Sequence, residues 1–181
     1  MKDGEIITRI QQGERELLNI LIERYYDHIY RFCFYKTGNR ESAQDCAQET
    51  FLRMIRYIDV YVEKGRFKAY LFQIACSACS DSLRRRGDDV LEEEAVREKI
   101  DRLSDERESR FVEKVETAEL VKAALKQLPE SQRDAIILRF YSDMKLREIA
   151  RITGVSLPTA KARLKRGKEN LKEILEKEEL L

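Results

Sequence analysis

Apolar residues recur along this chain at steps of three and four, the spacing of one helix face rather than of a strand. The pattern is sharpest over 156–172, SLPTAKARLKRGKENLK, where Ala160, Leu164, Gly167 and Leu171 form one small apolar stripe. Ser156 is placed to cap that helix, because its hydroxyl can accept from an orphan N–H of the first turn. Pro158 falls in the same turn, where a missing N–H costs nothing. Thr159, Ala162, Lys165 and Arg166 lie opposite the stripe, with Lys161, Arg163 and Lys168 on its flanks. Over 157–172 there are six Lys and Arg against one Glu. Just before it, 145–152 (KLREIARI) reads as a short helix with Leu146, Ile149 and Ala150 on one side. Thr153, Gly154 and Val155 follow, with Gly154 where a tight turn needs positive φ. Short helix, glycine turn and capped basic helix make a helix-turn-helix, whose second helix suits the DNA major groove. The alternative is an amphipathic hairpin with a merely solvated charged face; the turn, the cap and the basic excess favour the first.

The same periodicity orders the rest. Ile6, Ile7 and Ile10 make a short first helix interrupted at Gly13. A longer helix over 14–36 turns Leu17, Leu18, Leu21, Tyr25, Ile29, Phe32 and Cys33 inward. Gly38 and Asn39 break it. The next helix, 41–58, buries Ala47, Phe51, Met54, Ile55 and Ile58. Asp45, Gln48, Glu49, Leu52, Arg53 and Arg56 stack on its other side, and an apolar residue rimmed by charge suits a protein interface. A loop over 59–66 leads into a helix over 67–86, with Phe67, Leu71, Ile74, Ala75, Ala78 and Ser82 inward. A second stripe of Tyr70, Gln73, Ser77, Ser80, Asp81 and Arg84 is aromatic and polar and ends in Arg84, Arg85 and Arg86, which complement the helix dipole. An aromatic beside a basic stripe can also stack bases and hold phosphates. Helices over 116–127 and 130–141 follow, with Leu120, Val121, Ala124, Leu125, Leu128, Ala135, Ile136, Leu138 and Phe140 as the core beneath the helix-turn-helix.

Composition agrees with an all-α chain. Of 181 residues 43% are hydrophobic and 38% charged, with two prolines and seven glycines. The net charge of +1 conceals segregation: residues 1–86 are net +3, 87–119 net −7 and 120–181 net +5. The acidic, aromatic-poor stretch 87–115 reads as a flexible linker. Its r.m.s. span as a free chain is on the order of 30 Å. The fold expected is two small helical domains, 1–86 and 116–181, joined by that linker.

No apolar run is long enough to span a membrane and the N-terminus has no signal-peptide core, so a cytoplasmic location without membrane insertion is expected. Cys76 and Cys79 form a CxxC on a helix. A structural zinc would need Cys33 and Cys46 to converge with them, or the sole histidine, His28; small buried core residues are the preferred reading. No phosphate-cradling glycine loop, nucleophile–His–carboxylate set or paired histidines is present, so no catalytic residue, cofactor or metal is expected.

Both halves together resemble the small extracytoplasmic-function (ECF) sigma factors of the bacterial sigma-70 family. AQDCAQETFLRMI (43–55) and FKAYLFQIACSACSDSLRRR (67–86) are similar to region 2, and residues 124–171 to region 4. The resemblance implies a subunit that binds core RNA polymerase and directs initiation at promoters. It implies that Asp45, Gln48, Glu49, Leu52 and Arg53 meet the clamp helices of the β′ subunit. Tyr61, Lys64, Arg66, Tyr70, Ser77, Arg84 and Arg85 would open the −10 element and hold its single strand. Ser156, Thr159, Lys161, Ala162, Arg163 and Arg166 would engage the −35 duplex, while other region 4 surfaces meet the β flap. An anti-sigma protein, commonly membrane-anchored, is the regulator implied. Tyr70 stands where Trp is common, Ser77 where Asn is common, and Ala160 and Ala162 replace a usual Val and Ser, which bears on promoter preference. A free-standing helix-turn-helix regulator, with 1–86 as a sensing or dimerisation domain, is the alternative reading.

Overall fold

The computed structural model describes residues 1–84 and 115–177, and among these every regular element is helical. In chain order the helices are α1 (Asp3–Gln11), α2 (Leu18–Thr37), α3 (Arg40–Tyr57), α4 (Phe67–Arg84), α5 (Val115–Gln127), α6 (Glu130–Phe140), α7 (Leu146–Ile152) and α8 (Leu157–Lys177). Short 3-10 turns precede α2 and follow α3. The linker expectation over 87–115, together with Arg85 and Arg86, falls almost wholly outside the described residues.

The N-terminal half is a bundle of α2, α3 and α4 with α1 laid across one end. Gly38 ends α2 in the left-handed region at φ 81°, and the Asn39 side chain then accepts from Ser42 N at 2.8 Å to start α3. The turn between α2 and α3 is therefore set by two adjacent residues, each suited to its conformation. Phe32 and Phe72 meet edge-on at 5.6 Å, and Tyr26 stacks with Phe51 at 6.2 Å. Ile6, Ile7 and Ile10 are fully buried, as their spacing requires. Gln11 Nε2 donates to the carbonyls of Ile58 and Tyr61, both at 2.8 Å, which ties α1 to the loop after α3.

In the C-terminal half, α5 and α6 form the platform for the helix-turn-helix of α7 and α8. Gly154 has φ 67° and makes the turn, and Thr159 N donates to Ser156 Oγ at 3.3 Å, so Ser156 is the cap. Ala160, Leu164 and Gly167 are buried against α6, and α8 continues five residues past the expected end at 172, to Lys177. Gly167 packs closely: a Cβ there would lie 3.2 Å from the carbonyl oxygen of Gln132 and 3.1 Å from Ile136 Cγ1.

Two expected core residues lie outside it. Leu120 is 45% exposed and Phe140 59% exposed. Leu120 sits one turn N-terminal of buried Ala124, and Phe140 ends α6 just after the buried run Ala135–Leu138, where the helix leaves the core. Ile137, absent from the expected set, is fully buried. The four consecutive residues 135–138 are buried because α6 is covered on both sides, by α8 and by α2 of the other half. The two halves thus share one continuous core rather than standing apart.

Candidate functional site

The expected polymerase-facing residues lie together on α3. Asp45 is exposed, and Gln48, Glu49, Leu52 and Arg53 are half-buried, so Leu52 is less open than its charged surroundings suggest. Arg53 reaches across to α4. Its Nε donates to Glu49 Oε1 at 2.5 Å, and its Nη1 donates to Asp81 Oδ2 at 3.1 Å and to Ser77 Oγ at 3.3 Å. Arg53 is therefore a strut between two helices as well as part of a surface.

The second site gathers around the loop between α3 and α4. Tyr61 and Tyr70 stack with centroids 4.4 Å apart, and Phe67 meets the Tyr61 ring edge-on at 5.7 Å. Glu63 Oε1 accepts from the backbone N–H of Gly65 and, at 3.2 Å, from that of Arg66. That turn leaves Lys64 and Arg66 exposed beside the rings. Burial pushes the Tyr61 phenol up to about 12, with Glu63 adding to the effect, and burial followed by Tyr57 raises Tyr70. Both rings are therefore uncharged at neutral pH and suited to stacking on a base. Sequence reasoning missed the apolar part of this site. Val60 is 76% exposed and Val62 68%, and Tyr57 is exposed next to them. Their signal is the stretch YIDVYV, rich in large side chains yet lacking a helix period. Ser77 is exposed further along α4; Arg84 closes that helix and its side chain, like Arg85, lies outside the described residues.

The third site is α8. Ser156, Thr159, Lys161, Ala162 and Arg166 are all exposed, away from the buried Ala160–Leu164–Gly167 stripe. Arg163 differs. It is half-buried and lines a cleft of about 570 Å³ between the two halves, shared with Lys36, Gln73, Cys76, Ser77, Glu130 and Asp134. The structure thus separates Arg163 from the other expected −35 residues and brings it to the same cleft as Ser77.

The cysteines are free. Cys33, Cys46 and Cys79 are buried among α2, α3 and α4, and Cys76 is half-buried at the cleft. Burial raises the Cys33 thiol, contact with Cys79 followed by burial raises Cys46, and burial pushes Cys76 up to about 12. Thiols held neutral in this way are poor nucleophiles and poor metal ligands. Among the described residues no cluster of His, Cys, Asp and Glu has the arrangement of a metal site, and no helix is long and apolar enough to cross a membrane.

The sigma-70 region 2 profile matches residues 21–88, and the sigma-70 region 4 profile matches residues 118–171. The chain is 31% identical over 159 residues to the ECF RNA polymerase sigma factor SigE of Mycolicibacterium smegmatis, covering 87% of this chain and 61% of that one. It is 27% identical over 176 residues to the ECF RNA polymerase sigma factor SigW of Bacillus subtilis, covering 93% and 94%. Among solved structures, CnrH in complex with the cytosolic domain of CnrY superposes with a TM-score of 0.70 at 19% identity, over 96% of this chain and 97% of that one. The sigma factor RpoE in complex with the anti-sigma factor NepR, from Bartonella quintana, gives 0.64 at 23% identity over 92% and 98%. At these identities the two structures share the fold. Its two regions in order, and its relatives, place this chain in the sigma-70 family, within the extracytoplasmic-function group. That family consists of transcription initiation factors rather than enzymes.

Proposed function

We propose that this chain is a promoter-specificity subunit that binds core RNA polymerase and directs initiation through −10 and −35 elements. The observation that carries the reading is the presence, on one family member, of two exposed surfaces with different chemistry. One is the capped basic helix α8, with Thr159, Lys161 and Arg166 outward, as duplex major-groove docking requires. The other is the Tyr61–Tyr70 stack flanked by Lys64 and Arg66, which suits an unstacked base and its phosphates.

On this reading residues 1–86 hold polymerase and the −10 strand, 116–181 hold the −35 duplex, and 87–115 connect them. Asp45, Gln48, Glu49 and Leu52 meet the β′ clamp helices, with Arg53 holding their helix to α4. Tyr61, Lys64, Arg66, Tyr70 and Ser77, with Arg84 and Arg85, capture the melted −10 strand. Ser156, Thr159, Lys161, Ala162, Arg163 and Arg166 dock at −35, and exposed Phe140 is a candidate for the β flap. An anti-sigma protein covering these faces is the expected regulator, and one structural relative, RpoE of Bartonella quintana, is named in complex with an anti-sigma factor. The place of action is the cytoplasm. Core polymerase should form a stable complex with a fork-junction DNA carrying a single-stranded −10 segment only when this protein is added. Equal binding without it would remove the assignment.

A further inference from the structure

We propose that Cys46 and Cys79 form a peroxide-reactive thiol pair in the core of the N-terminal half, where two-electron oxidation joins α3 to α4 through a reversible, stabilising disulfide. The proposal stands on the packing of this half alone and does not depend on the promoter reading.

Three of the four cysteines, one from each helix of the bundle, meet at one place in the core. Cys33 of α2, Cys46 of α3 and Cys79 of α4 are each at most 2% exposed. The Cys79 thiol is in hydrogen-bond contact with both Cys33 and Cys46. Cys46 Sγ also donates to the Ala78 carbonyl at 3.9 Å, so its side chain reaches the α4 backbone at the residue next to Cys79. None of the three surfaces described above uses these sulfurs.

Contact alone leaves Cys33 and Cys46 as competing partners of Cys79, and their neighbours separate them. Ala43 and Ala47 are buried beside Cys46, and Ala75 and Ala78 beside Cys79. With so little bulk around the pair, the α3 and α4 backbones can approach as a disulfide requires, with Cβ atoms about 3.5–4.5 Å apart. Between α2 and α4 stand Phe32 and Phe72 instead, their ring centroids 5.6 Å apart, and Phe32 adjoins Cys33. Cys76 lies one turn before Cys79 on the same helix. Side chains at i and i+3 have Cβ atoms about 5–6 Å apart, too far for a disulfide while the helix holds.

Hydrogen peroxide, small and uncharged, is the oxidant that suits a buried pair. One thiol is oxidised to a sulfenic acid and one water leaves. The second thiol attacks that sulfur, the S–S bond forms, and the departing hydroxide takes up its proton as a second water. Two thiols and one peroxide thus give one disulfide and two waters. The first step is slow, because burial holds these thiols neutral. The second is favoured by contact already made in the fold. Without a neighbouring thiol, further oxidation would place a sulfinic acid in the core, a buried anion with no partner. The pair diverts that damage into an apolar cross-link, which stabilises by restricting the unfolded chain.

The test needs only the full chain and hydrogen peroxide. The reduced, folded protein is exposed to peroxide, quenched in acid, blocked with a maleimide and peptide-mapped without reduction. A peptide pair joining Cys46 to Cys79 should appear. The melting temperature should rise by about 5 °C or more, and reduction should reverse both changes. Cys33→Ala should keep the link and the shift. Cys46→Ala should lose both, with Cys79 proceeding to the sulfinic acid; if that variant does not fold, the wild-type map decides. A wild-type map showing only sulfinic acids, or a link through Cys33 or Cys76 in place of Cys46–Cys79, overturns the proposal. So does a Cys46–Cys79 link that lowers the melting temperature.

Discussion

Arg53 Nη1 donates to Asp81 Oδ2 at 3.1 Å, joining the helix that carries the proposed polymerase face to the helix that carries the proposed −10 face. Glu49 takes a second donor of the same guanidinium, so one side chain sets the spacing of two surfaces. Residues grouped by sequence into one polymerase-binding set therefore divide into those that present a surface and one that holds it in place. Replacing Asp45 and Gln48 with Ala should lower affinity for core polymerase about tenfold or more without changing the melting temperature. Replacing Arg53 with Ala should also lower stability, by about 1 kcal/mol for a half-exposed charged network. Titration against polymerase combined with thermal unfolding separates the two; unchanged affinity in the Asp45/Gln48 variant would remove the clamp assignment.

Tyr70 stacks on Tyr61 beside exposed Lys64 and Arg66. On the stacking account Tyr70→Phe should retain promoter opening. Tyr70→Ala should lose about 1–3 kcal/mol of single-strand affinity, with binding to duplex −35 fragments unaffected. Permanganate footprinting of thymines near −10 reads this directly. Equal footprints for all three proteins would place strand capture elsewhere.

Arg166 is exposed on α8, whereas Arg163 faces the cleft between the halves. Arg166→Ala should cost about 1–3 kcal/mol of −35 binding and relax preference at one base position. Affinities over a set of single-base promoter variants check this. A uniform loss with a shallower salt dependence would assign Arg166 to phosphate instead.

Gly167 packs where a Cβ would lie 3.2 Å from the Gln132 carbonyl oxygen. Alanine gains about 1 kcal/mol over glycine in a helix interior, but the neighbour here is backbone and cannot swing aside. Gly167→Ala should therefore be net destabilising, by about 1 kcal/mol, and should weaken −35 binding by tilting α8 away from α6. Chemical denaturation gives the sign; a stabilised variant would show that α6 can yield.

Helix identity was legible in the sequence because it depends on local spacing. Ile6, Ile7, Ile10, Phe51, Met54, Leu71, Ala160 and Leu164 are buried as their periods require. The break at Gly38 and Asn39 and the turn at Gly154 follow from single-residue backbone preferences. What local spacing cannot carry is the packing of one half on the other. Lys36 reads as an ordinary C-terminal helix charge, and Asp134 as one acid among many. Only the meeting of α2 and α6, 98 residues apart in sequence, makes them a buried pair. Ile137 is fully buried in the same region, and Arg163 and Ser77 line one cleft. Leu120 and Phe140 carry the right period but are exposed, Phe140 at the last residue of α6.

The central claim is that this chain confers promoter specificity on RNA polymerase, and run-off transcription with sigma-free core polymerase on a genomic promoter pool tests it most directly. The account predicts discrete start sites that appear only when the protein is present, with shared sequence near −10 and −35. No gain by the polymerase, together with a specific shift of duplex DNA by the protein alone, would contradict it and make the chain a free-standing helix-turn-helix regulator.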